Sequence, residues 1–289
     1  MIILVLAIVT RIIANPISNV FQKQLTNKHH PLFVNLVAYG ILSLVSIFLI
    51  SDFPFYTIPT AFWYYSMIGG LFGELGNGFI IKALQKGELS VLGPINAYKS
   101  IVGIIFAFLL IGELPNAWGL FGVVLIIVGS YFVLDNGTEN FTWAVFKQPA
   151  IQYRIAALVF TGIQAVTDKQ VILHSNLTYA FAGWCIFGFL FSIPLFFTAR
   201  INIRQQLSSF SKKVTLKYIG LCLSVGTMVL CTNYAFKNMQ VGTALALFQI
   251  SILLTVLFGH HFFNEMGILK KITGAMIMIA GSLLIILLK

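Results

Sequence analysis

The sequence predicts an all-α membrane protein of ten transmembrane helices, built as two inverted five-helix repeats. Three observations lead there. Of 289 residues, 58% are hydrophobic and only 9% charged, whereas soluble domains carry about 25% charged residues. Apolar windows long enough to cross a bilayer, about 20 residues each, recur almost end to end. Finally, a shift of 152 residues aligns the last three windows of the two halves without a gap.

The apolar windows lie at 2–22, 31–50, 60–84, 88–111, 116–134, 151–174, 176–199, 214–237, 241–263 and 268–288. The first reads as a retained span rather than a secretory signal, because no basic residue precedes it and Arg11 interrupts it. It also carries Asn15, Pro16 and Asn19, while the sixth carries Gln164, Asp168 and Lys169. Spans with that much polarity are expected to face protein or water rather than lipid. A long connection divides the chain into a first repeat, 1–134, a linker, 135–150, and a second repeat, 151–289.

The 152-residue shift places Glu113 on Glu265, Gly122 on Gly274, Gly129 on Gly281 and Ser130 on Ser282. Nearer the start of each half, "FQKQL" and "TDKQV" set Lys23 opposite Lys169 at a different offset. Five spans per half is an odd number, so the second half must enter the bilayer from the opposite side, as in many secondary transporters.

The stretches "GELSVLGPINAYKSIVGIIFAFLLIGELPNAWGLFGVVLIIVGSYFVL" and "VGTALALFQISILLTVLFGHHFFNEMGILKKITGAMIMIAGSLLII" resemble the repeated domain of the drug/metabolite transporter superfamily, EamA type. In that family a span ends in a Gly-Glu-like pair, a short turn follows, and the next span carries spaced glycines. The likeness is clear over residues 60–134 and 214–289, with one departure: Asn264 replaces Gly before Glu265. It implies two five-helix repeats, a central cavity with alternating access, and both termini cytoplasmic.

Buried charge marks the candidate site. Glu74 and Lys99 lie equally far from the turn near Lys86 and Gly87, about 18 Å at 1.5 Å per residue. Asn77 and Asn96 match in the same way, and Gly70, Glu74 and Asn77 share one helix face, as do Asn96, Lys99 and Gly103. The expectation is a Glu74–Lys99 approach. It serves either as an ion pair joining two helices or as part of a solvated solute site. Arg11 belongs to that site or snorkels to an interface, and Asn15 lies near the same depth. From the second half, where Gly226 and Ser251 replace the charges, come Gln164, Gln249, Asn233 and Tyr234. Arg11, Glu74 and Lys99 sum to one positive charge, which suits a substrate bearing a carboxylate or phosphate.

Other features point to structure. His29–His30 and His260–His261 sit at span ends, where adjacent side chains diverge and wet interfacial histidines are expected. No metal, cofactor or nucleic-acid site is expected, and the Trp residues are read as mostly lipid-facing or interfacial. Glu113 and Glu265 are read as structural caps. A phosphate-binding G-x-x-x-x-G-K-[ST] run is absent, which excludes ATP drive within this chain.

The reading is a secondary transporter of a small polar metabolite in the plasma membrane, not an enzyme, with proton coupling through Glu74. An integral membrane enzyme acting on lipid, a channel and a non-transporting scaffold are the alternatives. Loops after odd-numbered spans hold thirteen Lys and Arg, against three elsewhere outside the spans. By the positive-inside rule this sets both termini outside, opposite to what the resemblance implies.

Overall fold

The computed structural model describes residues 1–50, 57–102, 116–134 and 146–287, all of them helix, turn or irregular connection. Three long helices open the chain: α1 (Ile2–Leu25), α2 (Pro31–Leu49) and α3 (Thr60–Lys86). A single turn, α4 (Leu89–Leu92), and a 3-10 turn (Pro94–Ala97) precede a helix that resumes at residue 98. Next come α5 (Ala117–Leu134), α6 (Pro149–Leu173), α7 (Leu177–Thr198), the short α8 (Ile203–Ser208) and α9 (Lys212–Asn238). The chain closes with α10 (Val241–Phe248), α11 (Ser251–Phe263) and α12 (Ile268–Leu287).

Local chemistry sets many of these limits. The Asn176 side chain accepts from the Tyr179 amide at 2.8 Å to start α7, and Asn116 does the same for Gly119 at 2.8 Å before α5. Pro31 and Pro149 occupy first-turn positions, where a missing N–H is harmless. Asn264 ends α11 in the left-handed conformation, φ 53°.

Among the described residues, eight helical segments are long and apolar enough to cross a membrane: α1, α2, α5, α6, α7, α9, α12 and the joined segment Val241–Phe263. Helix α3 has the length, 27 residues, but its Gly-rich, Glu- and Asn-bearing sequence dilutes its apolar character. The fourth window, read from the sequence as one helix over 88–111, is interrupted. Pro94 lacks the N–H a continuing helix needs, and the backbone tightens into the 3-10 turn. Residues 103–115, with Gly103 and Glu113, lie outside the described residues. The ninth window breaks as well, between α10 and α11 at Gln249–Ile250. The 152-residue shift carries that break onto 97–98, where the 3-10 turn of the fourth window ends. The polar spans α1 and α6 run unbroken, α1 through Pro16.

Helices from the two halves interleave. Helix α3 packs on α6, α1 on α9, α2 on α7, and α5 on α12. The last pair shows how close this approach is. A Cβ at Gly122 would lie 2.6 Å from the Gly281 carbonyl oxygen, and one at Gly129 would lie 2.7 Å from that of Gly274. Only glycine permits such backbone contact. Advancing along α5 means retreating along α12, so the equivalent helices cross antiparallel. The contact is also self-complementary, because Gly122 is the repeat equivalent of Gly274 and Gly129 of Gly281.

A second symmetric detail lies at opposite ends of the bundle. Lys23 donates to the Gly87 carbonyl at 2.8 Å, and Lys169 to that of Met239 at 3.4 Å. The shift maps Gly87 onto Met239, so the lysines paired from the sequence make the same bond in each half. Lys169 also donates to the Phe236 carbonyl.

Apolar side chains cover much of the outside: Leu44, Phe48, Val124, Leu216 and Leu223 are all exposed. Four buried apolar clusters fill the spaces between helices. His29 departs from its expected wet setting. It is buried, its Nδ1 lies 2.7 Å from the Tyr218 hydroxyl, and its ring stacks on Tyr218.

Candidate functional site

A cavity of about 160 Å³ sits where α1, α3, α6, α7, α9 and the two chain breaks converge. Helix α1 presents Arg11, Asn15 and Asn19 to it, four residues apart on one face. Helix α6 presents Arg154, Thr161, Gln164 and Asp168, again one face at helical spacing. The breaks supply Asn96 and Lys99 from one side and Gln249 from the other. Helices interrupted beside a mid-membrane cavity expose backbone and polar groups where water or solute satisfies them.

The break in the fourth segment is tied to α6. With Pro94 in place the Asn96 amide turns to Gly93, at 3.0 Å, leaving the Leu92 carbonyl without its usual helical donor. Arg154 Nε donates to it at 3.0 Å, and Arg154 Nη2 donates to Asn96 Oδ1 at 3.3 Å. Lys99 Nζ donates to the Thr161 carbonyl at 3.1 Å and lies 3.4 Å from its hydroxyl. Across the gap, Asn96 reaches Gln249 Oε1 at 3.5 Å and Asn15 reaches Ser251 Oγ at 3.4 Å.

Arg11 is not at an interface. Its guanidinium carbon lies 4.0 Å from the centroid of the Phe248 ring, a cation–π contact. Its Nε is buried without an acceptor. Among the described residues no carboxylate pairs with it. Asp168 is held by Gln164 Nε2 at 3.0 Å and is close enough to Lys99 for the two charges to interact. Arg11, Lys99 and Arg154 against Asp168 give the lining a formal charge of two positive.

Seven of the eight residues expected from the sequence therefore line one cavity: Arg11, Asn15, Asn77, Asn96, Lys99, Gln164 and Gln249. Glu74 does not, and the expected approach of Glu74 to Lys99 is not formed. Helix α2 intervenes: Asn35 donates to Glu74 Oε2 and accepts from Asn77 through Oδ1, and Gln22 Nε2 donates to Asn77 Oδ1 at 3.0 Å. The equal-depth argument fixed height along the hairpin but not rotation about each helix. Lys99 turns toward α6 instead.

Asp168, Arg154, Thr161 and Trp184 were missed as site residues. Arg154 begins a span, so its position in the sequence resembles that of a loop cation, yet it is buried. The spacing of 154, 161, 164 and 168 along one helix face was the signal available. Trp184, expected among the lipid-facing aromatics, lines the cavity with a buried, unpartnered indole N–H. Tyr234, offered beside Asn233 from the eighth span, is not among the lining residues.

Outside the cavity, Glu265 is a structural cap, and the helix it caps belongs to the other half of the chain. Its oxygens accept from the Leu89 and Ser90 amides, each at 2.7 Å, at the start of α4. Lys23 Nζ adds a bond at 2.7 Å. Burial acts to raise the carboxyl's pKa, but the bonds from Lys23 and Ser90 outweigh it and hold the group below its ordinary value. No cluster of three or more His, Cys, Asp or Glu side chains that could hold a metal occurs among the described residues.

Comparison with known proteins agrees with this architecture. A solved crystal structure superposes with a TM-score of 0.66, over 98% of this chain and 96% of that one, at 16% identity. That likeness concerns the fold. No curated protein matches the sequence. The model of the EamA-like transporter family matches twice, over residues 2–135 and 148–287. With both halves matched, the chain belongs to the EamA-like transporter family, as a multi-pass membrane protein.

Proposed function

We propose that the chain is a ten-helix secondary transporter that moves a small organic or inorganic anion by alternating access through the central cavity. The observation that carries this reading is Arg11. A guanidinium with five donors, half-buried at mid-span with its Nε unsatisfied, stacked on Phe248 and without a carboxylate partner among the described residues, is costly in a bilayer without a ligand. A carboxylate or phosphoryl group accepts two of its N–H bonds in parallel.

Lys99 and Arg154 add to the attraction, while Asp168 offsets one charge. The excess positive charge favours an anion over a neutral or cationic solute. Volume limits size: a cavity of about 160 Å³ compares with the engineered void of about 150 Å³ that accepts benzene, so a solute of roughly benzene's size fits.

The antiparallel, self-complementary contact of α5 with α12 supports inverted repeats, and the paired chain breaks support a site at the repeat interface. The Lys- and Arg-rich end, which carries the connections around 26–30, 146–148 and 199–211, faces the cytoplasm of the plasma membrane in this reading.

The test is binding and counterflow with pyruvate, succinate and inorganic phosphate, using glycerol and choline as neutral and cationic controls. Protein in proteoliposomes should exchange at least one anion saturably, and Arg11→Ala should lose it. Uptake confined to choline or glycerol overturns the anion reading, and flux without exchange acceleration overturns the carrier mechanism.

A further inference from the structure

We infer that Glu74 is a proton-binding site, set behind the cavity wall, whose occupancy is linked to the anion in the cavity. The inference rests on the transport reading for its linkage, but not for the proton site itself.

Glu74 is 1% exposed at the middle of α3. The groups that the described residues gather around it are neutral or acidic. Helix α2 gives Asn35, bonded to Oε2, and Tyr39. Helix α7 sets Trp184 beside Gly73 and Cys185 near Tyr39, while α1 gives Gln22, reached through Asn77. Asp168 of α6, on the cavity side, is a second acid near Tyr39. Helix α4 contains no titratable residue. Among the described residues no Lys, Arg or His pairs with Glu74. An ionised carboxylate held this way has hydrogen bonds but no countercharge, whereas Asp168 has Lys99.

Three further atoms are unpartnered: Glu74 Oε1, Tyr39 Oη and Trp184 Nε1, all buried. Tyr39 neighbours both of the other residues. The Tyr39 and Trp184 rings lie 4.7 Å apart, and a Cβ on Gly73, the residue before Glu74, would come within 3.0 Å of Trp184 Nε1. Trp184 also lines the cavity, so the Tyr39–Trp184 pair connects the surroundings of Glu74 with it. A second path runs through Asn35 to Asn77, which also lines the cavity. Buried polar atoms without partners are exceptional in native proteins and call for water, an ion or a functional role.

The exchange is a simple transfer. A proton leaves a cavity hydronium, bonds to Glu74 Oε1, and returns to water when the cavity faces the other side. An anion held by Arg11 and Lys99 stabilises the neutral carboxyl over the carboxylate. By reciprocity, protonation then tightens anion binding. The sign is symport: anion and proton enter the occluded state together.

Infrared difference spectra of the protein in lipid, between about pH 5 and pH 8 where buried carboxyls titrate, read the site directly. A protonated-carboxyl band should grow as pH falls, vanish in Glu74→Gln and survive in Asp168→Asn. A band that persists unchanged in Glu74→Gln, or no titrating band in the wild type, overturns the inference. Should Glu74→Gln not fold, Glu74→Asp serves: a displaced band supports the assignment and an unmoved one overturns it. In the second arm, pyruvate, succinate or phosphate affinity should rise as pH falls, by up to about tenfold per unit for one linked proton. It should be tight and independent of pH in Glu74→Gln. Affinity that falls with pH, or still varies in the variant, overturns the linkage. A titrating band with no anion bound refutes the anion reading and leaves the proton site standing.

Discussion

Lys23 on α1 and Glu265 in the α11–α12 turn form an ion pair of 2.7 Å that joins the first half of the chain to the second. The same carboxylate caps α4, so one acidic residue fastens three separate elements at one end of the bundle. Its side chain is 5% exposed and that of Lys23 17%, so solvent screens the pair little.

Glu265→Ala should therefore be among the most destabilising changes outside the cavity. It leaves the Leu89 and Ser90 amides without acceptors and Lys23 without its countercharge. Losses of about 3–5 kcal/mol accompany breaking a buried pair. Thermal unfolding in detergent, compared with Glu265→Gln, measures it, and the Gln variant should lose less because it retains an acceptor. A Glu265→Ala protein as stable as wild type would contradict the three-way role.

The same carboxylate sets an acid limit. Its folded pKa lies below the ordinary 4.5. A depressed acid contributes stability that is complete above its unfolded value and lost as pH falls through the folded one. Unfolding temperature should thus fall as pH drops below about 4.5, with the unfolded carboxyl the stronger proton binder. His29, whose burial disfavours its charged form, has the same sign beginning near pH 6.5. Glu265→Gln should flatten the lower limb and leave the upper one.

At the glycine crossing, Gly129→Val and Gly274→Val should each destabilise by at least about 1–3 kcal/mol, the cost of overpacking a filled site. The obstacle is backbone, which gives less than a side chain would. Because each glycine meets the other's carbonyl oxygen, the two changes should be strongly non-additive. Independent effects in the double variant would argue against the crossing.

In the cavity, Arg11→Lys should weaken anion binding by about 2 kcal/mol, a factor of about 30, since an ammonium does not offer parallel bonds or stack as well on Phe248. Stability should change little. Lys99→Met alone should harm folding or binding more than Lys99→Met with Asp168→Asn, because the single change strands a carboxylate. Isothermal titration with the best anion and a double-variant cycle measure both.

Most of the apolar helices, the repeat and most of the polar cavity lining were legible because bilayer chemistry makes polarity conspicuous: Arg11, Asn15, Lys99 and Gln249 stand out against Ile and Leu. What escaped was rotation and partner choice. Glu74 and Lys99 share a depth, yet whether they meet depends on the azimuth of two helices and on Asn35 from a third. Arg154 was hidden by its position at a span boundary, which looks like a loop until the carbonyl opened by Pro94 gives it a buried task. The break itself follows from "GP" at 93–94, a signal outweighed by the long apolar run around it.

The anchoring of the fourth segment to α6 has an evolutionary and practical corollary. Asn96 and Lys99 belong by descent to the first module, but Arg154 and Thr161 of the other module grip them. A gene cut within 135–150 would yield two products each lacking its supports, and co-expression of the fragments, rather than either one alone, should restore a folded carrier.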